Sequence, residues 1–167
     1  MKTVETIEVT HEMLASTGKR FANYLIDDIL LRYLVFIVIL TMGELLYDFG
    51  YESLYMWVIE LSQWEELAFI SFFLSSYYVI FETFSQRTLG KYITGTMVVM
   101  EDGSKPTFKT VFLRTLCRLI PFDGFSFLKE KPRGWHDRFV KTCVVDVKVY
   151  SAALELKRAF EEIGIEQ

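Results

Sequence analysis

The chain has 167 residues, 51% hydrophobic and 16% aromatic, with a formal charge of −4 at pH 7. That apolar load is more than one soluble core of this size hides, and the acidic balance argues against a nucleic-acid partner. A mainly α membrane protein is the expected class, and an all-helical soluble domain is its bland alternative.

The first 18 residues are polar and carry no basic region ahead of an apolar core, so no cleavable signal peptide is expected. Thr3 to Val9 alternates loosely, as a short strand would. Phe21 to Met42 then offers about 33 Å of apolar helix at 1.5 Å per residue, the thickness of a bilayer core. Arg20, Asp27 and Asp28 stand at its mouth and Arg32 inside it. Ionisable groups there cost roughly 3 kcal/mol each at the bilayer centre, which makes them the first functional candidates.

From Gly43 to Glu66 the chain carries six acids and neither Lys nor Arg. Its tyrosines and tryptophans suit a membrane interface, and Tyr51, Leu54, Tyr55 and Val58 share one face of a short surface helix. Leu67 to Phe84 is a second span with Glu82 as its only charge. Its Ser71, Ser75 and Ser76 are small enough to allow a close helix contact. Basic residues cluster before the first span and after the second, so both termini are expected on the cytoplasmic side of a bacterial inner (plasma) membrane.

Thr96 to Met100 and Lys141 to Val149 read as two strands of a small cytoplasmic sheet. Between them, Val111 to Leu128 is broken by Arg114, Arg118, Pro121, Asp123 and Gly124, too often for a lipid-exposed span. It reads as a basic amphipathic segment at the headgroup level, turning at Pro121 to Gly124. From Ser151, a plausible N-cap, the tail places Ala153, Leu156, Phe160 and Ile163 on one helical side. Cys117 and Cys143 lack zinc-site spacing and read as structural.

Several separated motifs resemble the RDD family, named for an arginine and two aspartates in its first membrane helix. Gly18-Lys19-Arg20 with Asp27-Asp28, then Thr88-Leu89-Gly90-Lys91, Asp102-Gly103, Arg114, Arg118 and Gly134-Trp135-His136-Asp137-Arg138 carry the likeness, which covers about Gly18 to Val145. This chain departs from it in the third apolar stretch, short and broken where many members have a fuller span. The resemblance implies a small membrane protein of a type suspected of transport, with some members similar to cation/proton antiporters.

The organisation expected is an N-terminal cytoplasmic segment over 1–18, an RDD-like membrane domain over 19–150 and a C-terminal amphipathic helix over 151–167. The membrane domain combines a two-helix transmembrane hairpin, a short interfacial helical segment and a small cytoplasmic β element. Arg20, Asp27, Asp28, Arg32 and Glu82 form the candidate intramembrane charge network or ion site. Asp27 shares a face with Arg20, and Asp28 with Arg32, so each acid has a basic neighbour on its own helix; Glu82 lies at a similar depth. Lys91, Arg114, Arg118 and Arg138 are the candidate basic partners from the cytoplasmic side.

Two functions stay open. In one, a desolvated carboxylate exchanges cations for protons, or a small solute passes, in an oligomer. In the other, the cations neutralise the acids and lock a non-transporting scaffold or regulatory subunit, the reading that buried charges most often merit. Gly90-Lys91 lacks the rest of a phosphate loop and reads as a helix end at the interface. His136 beside Asp137 lacks a nucleophile or ligand set, so a tight turn with local pairing is expected there. No enzyme activity, cofactor or metal is expected. The expected partners are the lipid bilayer with its anionic headgroups, and a second copy or another membrane protein.

Overall fold

The computed structural model describes residues 6–118 and 134–164. The expected turn at Pro121 to Gly124, the second half of the interfacial segment and the side chain of His136 lie outside the described residues.

Helix α1 runs Thr17–Asp48, longer than its apolar stretch at both ends, because Ser16 accepts the Lys19 N–H as an N-cap and nothing breaks the helix before Gly50 at φ +80°. Short α2 (Glu52–Ile59) follows, and α3 (Gln63–Ser85) opens on a capping box in which Ser62 and Glu65 satisfy each other's backbone N–H. α1 and α3 are long and apolar enough to cross a bilayer, and only 17% and 11% of their most apolar windows are buried within the protein. The core helix of a soluble protein would be mostly covered. Leu31 and Val35 of α1 and Tyr78 of α3 are buried, whereas most of the large apolar residues on both helices are exposed.

Gln86, in the left-handed region, ends α3. Next come α4 (Leu89–Thr94), β1 (Thr96–Met100), α5 (Phe108–Arg118), α6 (Trp135–Phe139), β2 (Thr142–Asp146) and α7 (Val147–Ile163). The sheet is two antiparallel strands with Val98 opposite Val144. Strand alternation gives it two buried faces. Val99, Cys143 and Val145 pack with Met13 and Tyr150 on one side. Thr96 and Thr142 reach towards α1 and α6 on the other, through hydrogen bonds with Asn23 and Asp137. Both edges are covered: Gln86 and Val98 exchange backbone hydrogen bonds, or their side-chain equivalent, along β1, while Leu14 and Ala15 pair with β2.

Three local expectations are corrected. Gly90-Lys91 does not end a helix; it lies in the first turn of α4, with Thr88 as N-cap. The second strand stops at Asp146, and the tail helix starts at Val147 with Asp146, not Ser151, accepting the Lys148 N–H. A β-branched run thus switches to helix because Tyr150 is needed on the core, where its hydroxyl donates to the Gly103 carbonyl at 2.9 Å. Thr6 to Val9 forms no strand, although the Val9 N–H donates to the Glu101 carbonyl.

Candidate functional site

Arg20, Asn23, Asp27, Leu31 and Val35 make a single buried stripe along α1 at spacings of three and four. The polar half of this stripe meets the segments that follow α3. Asn23 donates to Thr96 at 2.9 Å and accepts from Thr94 at 2.5 Å, tying α1 to the α4–β1 junction.

Asp27 is 1% exposed and accepts three hydrogen bonds: from the Tyr77 hydroxyl at 2.9 Å, the Thr88 hydroxyl at 2.6 Å and the Gly90 N–H at 2.8 Å. The Leu89 N–H donates to Tyr77 Oη at 2.8 Å and the Lys91 N–H to Thr88 Oγ1 at 3.4 Å. The first three backbone N–H groups of α4 are therefore all satisfied, two of them by side chains from the long helices. Asp27 acts as a helix cap supplied from another element, and its negative charge sits at the positive end of α4. Gly90 makes this approach possible, since a Cβ there would lie 2.7 Å from the Asn23 carbonyl oxygen and 3.0 Å from Asp27 Oδ1.

Glu82, fully buried on α3, faces three cations. Lys91 Nζ lies at 3.0 Å, Arg118 Nη2 at 2.8 Å and Arg114 Nε at 3.4 Å. Arg118 also lies over the Tyr78 ring, 4.0 Å from its centroid. Arg114 bridges onward to Asp137, which pairs with Arg20 as well. Lys91 Nζ contacts Thr88 Oγ1 at 3.3 Å, and Thr88 donates to Asp27. A continuous buried network thus runs from Asp137 through Arg114, Glu82, Lys91 and Thr88 to Asp27.

Burial holds Lys91 below the ordinary lysine range, with Glu82 partly offsetting it. Burial likewise lowers Arg114 against the pull of Asp137 and Glu82, whereas on Arg118 the same burial is outweighed by Glu82 and the guanidinium is raised. Both arginines keep their charge at any physiological pH.

Several sequence expectations change here. Arg20 does not serve Asp27 on its own helix; it reaches Asp137, 117 residues away. Asp28 does not converge with the other acids, because it sits on the next face of α1 and pairs with half-exposed Arg32 at 2.8 Å. Asp137 does pair locally, with the Gly134 N–H and the Thr142 hydroxyl, but it is also a buried acceptor for two arginines. Arg138 is exposed and joins no ion pair among the described residues. Gly134 places its N–H 3.3 Å from Asp137 Oδ2. Sequence reading misses Asn23, Thr88, Thr94 and Thr96 as members of the network. The stripe Arg20-Asn23-Asp27 was the available signal for the first and the Thr88-Leu89-Gly90-Lys91 motif for Thr88; Thr94 and Thr96 gave none.

Ser71 and Ser75 line a groove of about 560 Å³ between α3 and α5, with Val79, Phe108, Phe112 and Leu116. Among the described residues no titratable group lines it. Ser76 spends its hydroxyl on the Phe72 carbonyl of its own helix. Among the described residues no group of His, Cys, Asp and Glu is placed to hold a metal ion.

The model of the RDD family matches residues 14–141. No curated protein and no solved structure matches the chain.

Proposed function

The chain belongs to the RDD family of membrane-associated proteins, and from that premise we propose that it is a non-transporting scaffold or regulatory subunit. In this reading α1 and α3 cross the bacterial inner membrane as a hairpin with both termini in the cytoplasm. The family's charged residues then fasten a cytoplasmic cap, made of α4 to α7 and the sheet, to the inner ends of the two spans.

The observation that carries the reading is the state of Asp27. A carboxylate that exchanges ions must release its partners in each cycle, yet this one is buried and closes the N-terminus of α4 with three donors. Removing them would free the backbone of α4 where no water replaces the bonds. Glu82 of α3 is held by three cations from the cap, and Asp137 of the cap by Arg20 of α1.

One observation favours cation/proton exchange instead. Asp27 has no cation within ion-pair distance among the described residues, so its charge is held by neutral donors alone. Two helices cannot enclose a polar path, so exchange would require an oligomer.

Flux measured from purified protein in liposomes, under sodium, potassium and proton gradients, separates the two readings. We expect no flux above protein-free vesicles. A pH-dependent cation flux that disappears in a folded Asp27→Asn variant would establish exchange and overturn the scaffold reading. The topology is tested by cysteines at Tyr51, expected to label from outside, and at Lys105, expected to label only after permeabilisation.

A further inference from the structure

α4 has one face the fold does not cover. Thr88, Gly90 and Lys91 are buried against α1 and Glu82, whereas Leu89, Tyr92 and Ile93, at i, i+3 and i+4, turn outward. Ile93 is 71% exposed, and Phe84, at the end of α3, is 80% exposed. Beside this patch stands a cation. The Arg87 guanidinium lies 5.5 Å from the Tyr92 ring centroid, places Nη2 3.8 Å from Met97 Sδ, and meets no carboxylate among the described residues.

The depth of this face follows from what pins it. Gly90 is bonded to Asp27 of α1 and Lys91 to Glu82 of α3, so α4 sits at the level of those two acids. Outward from them, residues 28–48 and 63–82 each supply about 30 Å of helix, the full thickness of a bilayer's hydrocarbon core. α4 therefore falls where acyl chains end and phosphates begin. An apolar helical face with aromatic and basic residues beside it is the pattern that layer selects.

We infer that the Leu89–Tyr92–Ile93 face of α4 is a docking surface for phospholipids of the cytoplasmic leaflet, with Ile93 among the first acyl carbons and Arg87 at the phosphate layer. This rests on the reading of α1 and α3 as membrane spans. A helix of six residues would not hold such a position alone. Here the buried network supplies the orientation beforehand, so the lipid meets a surface already formed. The family's Asp27 and the Gly90-Lys91 turn thereby acquire a second consequence: they hold a short helix in the plane of the membrane.

A photo-crosslinker decides the matter. Benzoylphenylalanine in place of Ile93, in the full chain reconstituted in vesicles of phosphatidylethanolamine and phosphatidylglycerol, should give phospholipid adducts on irradiation, read by intact mass. The same group in place of exposed Glu155 on α7 should not. A dimer adduct, or lipid adducts no more abundant than at the Glu155 position, would overturn the inference. Arg87→Gln should lower the phosphatidylglycerol share of the adducts about fivefold, the factor of one interfacial basic residue; an unchanged share would remove Arg87 from the phosphate layer. The probe in place of Phe36, midway along α1, separates the two levels of reading. Lipid adducts at Phe36 but not at Ile93 sink this inference alone, and absence at both sinks the membrane hairpin with it.

Discussion

From Ile29 outward, α1 and α3 are held by apolar and aromatic contacts such as Tyr55 against Gly43 and Trp57 edge-on to Phe69, and most of their large side chains are exposed. From Asp27 inward the molecule is built the other way, with Arg20, Asp27, Glu82, Lys91, Arg114 and Asp137 all buried and bonded to one another or to threonine hydroxyls. Under the proposed membrane reading, the difference follows from the solvent each part meets. Apolar helices in lipid gain nothing from the hydrophobic effect by touching each other and need only modest packing. The inner part must fix the position of short elements with small apolar cores, and directional polar bonds do that where burial alone would leave several arrangements of similar energy.

The comparison predicts unequal damage. Arg114→Met keeps the side-chain volume but leaves Glu82 and Asp137 short of a cation, and should cost about 3 to 5 kcal/mol. Phe36→Ala, on the exposed outer part of α1, should stay within about 0.5 kcal/mol in detergent. Chemical unfolding of the two variants checks this, and equal losses would break the contrast.

Gly90→Ala comes next. Its new Cβ would lie 2.7 Å from backbone oxygen, so the α1–α4 contact must open, at about 1 to 3 kcal/mol. A Cβ at Gly18 meets nothing within 4 Å, and Gly18→Ala should be neutral or mildly stabilising by thermal melting.

The two adjacent aspartates should then separate cleanly. Asp27→Asn offers one acceptor oxygen to three donors and should lose roughly 1 to 3 kcal/mol. Asp28→Asn breaks only a partly exposed pair with Arg32 and should lose at most about 0.5 kcal/mol. Similar melting temperatures for both would mean that burial does not distinguish them.

The smallest effect lies at the base of α7. The hydrogen bond from Lys19 Nζ, at 2.5 Å, holds the Asp146 carboxyl below the ordinary range, assisted by the Lys148 N–H. Stability from this site is complete above the unfolded value and is lost as pH falls through the lower folded value, so the window lies below about pH 4. Lys19 is 41% exposed, and screening keeps the contribution under about 1 kcal/mol. In Lys19→Met the acid-limb decline of the α7 amide exchange protection should be smaller and should finish at higher pH than in the parent; an unchanged limb would show that the cap hydrogen bond alone sets the value.

Much of the frame is written in local sequence. Two long apolar runs with few charges specify two helices fit for a bilayer, because periodicity and composition are properties of contiguous residues. Thr96 to Met100 and a partner strand within Lys141 to Val149 are legible for the same reason, and the separated arginine and aspartate motifs carry the family likeness. The partners of those charges were not legible. Local spacing puts Arg20 beside Asp27, but the fold sends Arg20 to Asp137 and gives Asp27 to Tyr77, Thr88 and Gly90. It turns Gly90 from an apparent helix end into a helix beginning, and lifts Val147 to Val149 out of an apparent strand. Each reversal concerns a residue whose best partner lies dozens of positions away. A backbone N–H or a buried charge must be satisfied by whatever three-dimensional packing brings near, and no local pattern encodes that choice.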